Sequence, residues 1–408
     1  MVTTTASPGV RAHSTLEVFL VALRLGLTSF GGPIAHLGYF RETYVVRRGW
    51  LGERAFADLV ALCQLLPGPA SSQLGIAIGA GRAGVAGGIA AWLGFTLPAA
   101  VLLVLFAAVY RELDLAGAAW VHGLTVAAGA VVAAAVVGMA RALTPDLRSR
   151  AMAVLAGLVA LAWAGPLVQA AIIVGGAMAG LLLSTAAAGS GAEPSSGLAG
   201  RAPGSRRTAI GLMAVFVVLL VGLPLLRALV PSAGPIALAD AFYRSGALVF
   251  GGGHVVLPLL EATVVEPGWV APDAFLAGYG AAQAVPGPLF SVAGFLGAVS
   301  SVGPGGPAGA AIALGAVFLP SFLLVFAALA AWPRGGPSPT VRRALAGANA
   351  AVVGLLLAAL VGTVLPAALR SPVDVVTVVA GTLGLVLLRL PPILVVVVAA
   401  VVSALVAG

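Results

Sequence analysis

The chain carries little charge and no lysine. Of its 408 residues only 8% are charged, and all 21 basic residues are arginine, set against 13 acidic ones. Without a lysine amine, a P-loop NTPase, a protein kinase and a Schiff-base enzyme are all excluded. The one cysteine, Cys63, lies in apolar sequence, so there is no disulfide framework, no cysteine metal cluster and no thiol pair for redox chemistry. Four scattered histidines among few acids make no metal site, and HExxH, GxSxG and CxxC are missing. No cofactor is called for, and a membrane-embedded enzyme is a minor reading. The net charge of +8 would suggest nucleic acid in a soluble chain. Here the arginines sit at the ends of apolar runs, where a positive-inside bias accounts for them, and no nucleic-acid partner is expected.

What the chain has instead is apolar sequence: 61% of residues are hydrophobic and the mean hydropathy is +1.12. A soluble domain carries about a quarter charged residues, so this is an all-α membrane protein whose surroundings are the lipid bilayer. The first apolar stretch is interrupted by Arg24 and lacks a small-residue cleavage site, which reads as a retained membrane segment and not a signal peptide. A span needs about 20 apolar residues. Such runs lie at 16–34, 56–80, 84–109, 118–140, 149–164 and 166–184, then at 209–230, then at 236–252, 274–300, 306–332, 343–366, 372–389 and 391–407. The expectation is therefore about 13 spans: a first repeat over 15–184, a linker of Gly, Pro and Ser at 185–208, a connecting helix at 209–230, and a second repeat over 236–407.

The two halves repeat one text. Arg24, Gly26, Phe30, Gly31 and Gly32 recur 220 residues on as Arg244, Gly246, Phe250, Gly251 and Gly252. Glu42, Gly49, Trp50, Phe56, Gln64, Pro67, Gly68, Pro69 and Ser72 recur 219 residues on as Glu261, Gly268, Trp269, Phe275, Gln283, Pro286, Gly287, Pro288 and Ser291. A single helix between two six-span halves makes them enter from opposite faces, the inverted repeat of many secondary transporters. Arginine placement argues for a cytoplasmic N-terminus, with one exception. On this parity the 41–54 loop, with Arg41, Arg47, Arg48 and Arg54, falls outside. Either that loop is a functional surface, or the segment before it is re-entrant.

Two breaks recur inside the apolar sequence. Gly31-Gly32-Pro33 and Gly251-Gly252-Gly253 interrupt the first span of each half, and unwound backbone inside a membrane is tolerated only where protein or water covers it. Pro67-Gly68-Pro69 and Pro286-Gly287-Pro288 interrupt the second. Pro69 suits the first position of a new helix, whose free N–H groups and dipole would make an anion site with Ser71, Ser72 and Gln73. The second copy keeps Ser291 but has Phe290 and Val292 in place of two of those polar groups, so the first copy is expected to be the principal site. The competing reading makes each break a packing kink or a plain loop. Arg24 and Arg244 are charges in apolar sequence and so binding candidates, or else snorkelling side chains. His36 and His254 could donate to an oxyanion or be core histidines. Gln64 and Gln283 precede the Pro-Gly-Pro breaks. Glu42 and Glu261 could carry protons for coupling, or form interfacial ion pairs. Trp50 and Trp269 read as interface anchors.

At FGGPIAHLGYF, LPGPASSQ and GGIAAWLGFTLPA, with weaker echoes at FGGGHVVLPLLE and QAVPGPLFS, the sequence resembles the long, two-domain members of the chromate ion transporter family. The resemblance runs from about residue 15 to 405. It implies efflux of chromate across a bacterial inner membrane, giving chromate resistance, with sulfate as the chemical analogue and competitor. It marks Phe30, Gly31, Gly32, Pro33, His36, Gly38, Gln64, Pro67, Gly68, Pro69, Ser71, Ser72 and Gln73. In the second half it marks Gly251, Gly252, His254, Pro258, Gln283, Pro286, Gly287 and Pro288. A homodimer is compatible with this build. A channel-like membrane protein is the alternative class.

Overall fold

The computed structural model describes residues 15–29, 32–112, 118–163, 166–183, 205–249, 256–331 and 339–407, and among them there are helices and no strands. The chain is an all-α polytopic membrane protein. Among the described residues five helices are long and apolar enough to cross a bilayer: Ala70–Glu112, Ala119–Arg141, Arg206–Leu229, Gly306–Ala331 and Ala346–Ala368. The other apolar runs are shorter helices, and their pairing decides the architecture.

In the first half, α1 (Thr15–Thr28) stops before the Gly-Gly break, and α2 (Gly32–Phe40) continues as a π-helical turn over Arg41–Arg47. Arg48 donates to Glu17 at 3.0 Å, so the end of that turn lies beside the start of α1 and the pair dips in and returns. The run at 56–80 behaves alike. It consists of α3 (Glu53–Leu65), the Pro-Gly-Pro break, and the first limb of α4 (Ala70–Glu112), whose Arg82 lies over the Trp50 ring at 4.7 Å. At Ala83 and Gly84 (φ +64°) α4 reverses, and Gly79 and Gly87 then face each other so closely that neither has room for a Cβ. Segments of about 14 residues reach only about 21 Å at 1.5 Å per residue, roughly two thirds of the hydrocarbon core. They fit a bilayer as hairpins that enter and leave by one face.

The second half repeats the plan with α9 (Gly234–Ala247), α10 (Val256–Leu260) and its π-turn Glu261–Val265, α11 (Pro272–Ala284), α12 (Val292–Val299) and α13 (Gly306–Ala331). Ser301 after α12 donates its N–H to the Trp269 carbonyl before α11 at 2.9 Å. The long limb of α4 and its equivalent α13 run antiparallel, Trp92 meeting Phe318 and Phe322, while Gly88 meets Phe326. Arg111, at the far end of α4, donates to the Ala298 carbonyl at 3.2 Å. The Trp50 loop and the Trp269 loop thus mark opposite faces.

The structure agrees with the re-entrant reading and departs from the outside placement of the 41–54 loop. That loop lies on the same face as the start of α1, because the runs at 16–34 and 56–80 turn back instead of crossing. Two crossings are lost together, so the opposed directions of the halves survive while that loop changes sides.

Around this centre, α14 (Pro339–Ala359) packs against α6 (Leu147–Ala162) and α7 (Pro166–Leu183), while α16 (Pro372–Val386) and α17 (Pro392–Ala407) pack against α5 (Ala119–Leu143). Between α14 and α16 the chain continues through a π-helical turn, Leu360–Val364, and the short α15 (Leu365–Ala368). At the start of α6, Asp146 accepts from the Ser149 N–H, which holds its carboxyl below the usual range. The helix α8 (Arg206–Leu229) lies at the edge with little of its surface buried.

Candidate functional site

The two Pro-Gly-Pro breaks hold each other's halves. The Gly68 N–H donates to the Val249 carbonyl at 2.7 Å, and the Gly287 N–H donates to the Ser29 carbonyl at 3.0 Å. Ser29 and Val249 are equivalent positions at the ends of α1 and α9, so each break is pinned to the helix end of the opposite repeat. Both glycines have positive φ, +122° and +110°, which a side chain rarely adopts. A Cβ on Gly68 would also meet the Gln73 amide and the Ser321 hydroxyl at 2.6 Å. Each break opens a helix as expected, one residue late: the Gln73 N–H reaches the Pro69 carbonyl at 2.9 Å, so Pro69 caps α4 and Ala70 begins it.

Around these breaks lie buried polar atoms without a hydrogen-bond partner: Ser29 Oγ, His36 Nε2, Ser72 Oγ, Gln73 Oε1, Thr96 Oγ1, Gln283 Nε2 and Ser291 Oγ. Each such group costs about 1–3 kcal/mol when nothing satisfies it. Most of them can donate. His36 Nδ1 lies 3.3 Å from Ser71 Oγ, its ring edge-on to Phe95. The Gln73 amide donates to the Pro67 carbonyl at 2.6 Å and lies 3.4 Å from Ser321 Oγ, tying the first break to α13. Ser72 and Ser291 are alike, both buried and both unpartnered. The polar surplus expected of the first copy therefore rests on Ser71 and Gln73. Gln64 differs from its equivalent Gln283 in being exposed.

The paired charges differ more than the repeat suggests. Arg244 forms two 2.6 Å hydrogen bonds with Asp240, which is fully buried and also lies 3.3 Å from Arg227. Leu20 stands where Asp240 would be in the first half, and Arg24, exposed, has no ion-pair partner among the described residues. Glu42 is exposed and accepts from Arg47 at 2.9 Å. Glu261 is half-buried, accepts from the Thr363 hydroxyl and keeps Oε2 without a partner. Trp50 stacks on Tyr44, and Trp269 lies under Arg227 at 4.9 Å.

Gly31, Gly251, Gly252 and His254 lie outside the described residues, and Gly32 and Pro33 open α2. Ser29, Thr96 and Ser321 were not singled out from the sequence, although Thr96 lies within the GGIAAWLGFTLPA motif and Ser29 lies two residues before Gly31 of the first Gly-Gly break. A site of hydroxyls, amides, an imidazole and helix N-termini, with no carboxylate in the group, suits a tetrahedral oxyanion and not a metal cation. Among the described residues no cluster could hold a metal ion.

Residues 16–181 and 236–404 match the chromate transporter family model. Curated relatives include a chromate transport protein of Pseudomonas aeruginosa, 29% identical over 75% of this chain and 70% of that protein. A probable chromate transport protein of Synechococcus elongatus is 30% identical over 92% of this chain and 90% of its own length. The chromate transport protein of Cupriavidus metallidurans is 28% identical over 94% and 91%. No solved structure matches the chain.

Proposed function

Since this chain belongs to the chromate transporter family, matched over both of its halves, we propose that it exports chromate as a secondary transporter of a bacterial inner membrane, conferring resistance. The observation that carries this reading is the set of unpartnered buried donors around two cross-pinned helix breaks. A dianion lodged there would satisfy hydroxyl, imidazole and amide groups together, and no carboxylate opposes it. The membrane potential supplies the direction. With the cytoplasm negative, each charge contributes about 2.3 kcal/mol per 100 mV, so a dianion is driven outward by roughly 4–5 kcal/mol per 100 mV without an ATPase. Sulfate has the same shape and charge and is the competing substrate.

Uptake of labelled chromate into everted membrane vesicles tests the reading, with sulfate as competitor and the potential imposed by ion gradients. Saturable uptake that grows with an inside-positive potential supports the exporter. Non-saturable flux would make the protein a channel. Sulfate transport untouched by chromate would reassign the substrate.

A further inference from the structure

The face marked by Trp50 carries a cavity of about 1080 Å³ whose lining includes Arg24, Arg47, Arg48 and Arg82 with Glu17 and Trp50. Four guanidinium groups meet one carboxylate inside it. Arg48 is paired with Glu17 at 3.0 Å, and Arg47 with Glu42 at 2.9 Å. Arg82 and Arg48 lie over the Trp50 ring at 4.7 and 5.6 Å. Arg24, on α1, lies one turn before Thr28 and Ser29, and the Ser29 carbonyl holds the second break. Through α1 the cavity wall is thus joined to the helix end that holds the central site.

The opposite face has no equivalent excess of positive charge. The repeat places Glu266 at the position of Arg47, Pro267 at that of Arg48 and Ser301 at that of Arg82. Arg244 and Arg227 are there both engaged by the buried carboxylate of Asp240.

The arginine distribution says which face is which. Arg227 of α8 stacks on Trp269, so the 24 residues of that helix, about 36 Å long, carry Arg206 and Arg207 to the Trp50 face. His122, near the start of α5, lies 3.3 Å from Asp374 of α16, and Arg370 beside that acid binds Asp273 just after Trp269. The far end of α5 then brings Arg141, Arg148 and Arg150 to the Trp50 face as well. Cytoplasmic loops carry the arginine excess, so the Trp50 face is the cytoplasmic one.

We infer that this arginine-lined cavity is the cytoplasmic loading site for tetrahedral dianions, a second anion site joined to the central one through α1. It rests on the transport reading above. A cavity of one sign, narrowing between low-dielectric walls, concentrates ions of the other sign and raises their capture rate roughly 10- to 1000-fold, with a steep salt dependence. The opposite face has Glu266, Pro267 and Ser301 in place of three of these arginines, so loading is favoured from the cytoplasm.

The test uses Trp50 as a reporter, in full-length protein held in discs of zwitterionic lipid only, so that no anionic headgroup fills the cavity. The Trp50 signal is the difference between wild type and Trp50→Phe. Iodide should quench it several-fold more strongly than caesium, and Arg47→Gln/Arg48→Gln/Arg82→Gln should remove that preference. In everted vesicles the same triple variant should raise the KM for chromate at least about tenfold at low salt, keep kcat within about twofold, and lose the salt dependence. Equal quenching by the two ions, or a variant that transports with unchanged KM and salt dependence, overturns the inference. Discs prepared with anionic lipid separate the two anion sources: loss of iodide quenching in them alone assigns the cavity to headgroups and overturns it too. If wild type transports no chromate while iodide preference holds, the cavity stands as an anion site and the exporter reading falls.

Discussion

Gly68 gives its N–H to the carbonyl of Val249, a residue 181 positions away and in the other repeat, and the equivalent bond from Gly287 to Ser29 closes the exchange. Neither half completes its own break. The central donors are thus held by contacts that cross the pseudo-symmetry axis, and any rocking of one half against the other must bend or remake these two bonds.

A methyl group at either glycine should weaken both fold and site. Gly68→Ala forces a positive φ on a side chain, costs about 1–3 kcal/mol of local strain, and pushes on Gln73 and Ser321. Gly287→Ala meets the Ala99 Cβ at 3.1 Å and the Phe95 carbonyl at 3.3 Å, a looser fit. The expected order of thermal stability in detergent is wild type, then Gly287→Ala, then Gly68→Ala. Equal melting temperatures for all three would show that the breaks are not strained.

Ser72→Ala and Ser291→Ala should cost similar amounts, because both hydroxyls are buried and unpartnered in equivalent places. Loss of one charge-assisted hydrogen bond, about 1.5–3 kcal/mol, corresponds to a roughly 10- to 150-fold higher half-saturation concentration. Backbone donors remain, so neither variant should abolish transport. Vesicle uptake measured over a range of chromate concentrations decides it, and a loss confined to Ser72→Ala would place the anion in the first half alone.

Arg24 and Arg244 should separate into a functional and a structural arginine. Arg24→Lys keeps the charge but loses the planar fork that binds two oxygens at once, so transport should fall while stability holds. Arg244→Gln removes the main partner of a fully buried carboxylate, a change that costs about 3–5 kcal/mol where no other cation helps. Arg227 at 3.3 Å reduces that loss. Adding Asp240→Asn should recover most of the stability, which thermal melts of the single and double variants measure.

The breaks and the repeat were legible because Pro-Gly-Pro interrupts a helix and because the second half repeats the text of the first, whereas Gly-Gly alone does not suffice, since Gly87-Gly88 and Gly175-Gly176 lie inside α4 and α7. The turning back of the first two segments was legible only in part, since the arginines of the 41–54 loop left a re-entrant first segment open as one of two readings. A 14-residue helix, a break and a 16-residue return read in hydropathy like one kinked span and a loop, and only the Glu17–Arg48 and Arg82–Trp50 contacts separate the two. The fate of Arg244 had a local signal, since Asp240 lies four residues before it on one helix face. The contact between Glu261 and Thr363 had none: 102 residues separate them, and packing alone joins their π-helical turns.

Glu261, and not Glu42, is the acid expected to couple proton movement to export. Glu42 is exposed and already neutralised by Arg47, whereas no cation pairs with Glu261 among the described residues and one carboxyl oxygen is unpartnered. Glu261→Gln keeps the shape and the Thr363 contact. It should leave chromate–chromate exchange in proteoliposomes near wild type and remove the response of net flux to an imposed proton gradient. Glu42→Gln should leave that response within about twofold. A gradient response retained by Glu261→Gln would move the coupling elsewhere.

The last prediction concerns the faces themselves. If the first two segments of each half turn back as described, the loops before α3 and α11 lie on opposite sides, and the first lies in the cytoplasm. Gly52 and Ala271 are the informative positions: both are exposed, both precede the first turn of their helix, and both have negative φ, −78° and −64°, so a cysteine fits without strain. Gly49 and Gly268 would be poorer choices, at φ +57° and +77°. With the buried Cys63 replaced by alanine, Gly52→Cys should react with a membrane-impermeant maleimide in everted vesicles, and Ala271→Cys in intact cells. Labelling of both from one side would mean that the halves are not opposed. Labelling with the sides exchanged would keep the architecture and put the arginine-lined cavity outside, reversing the direction in which it loads.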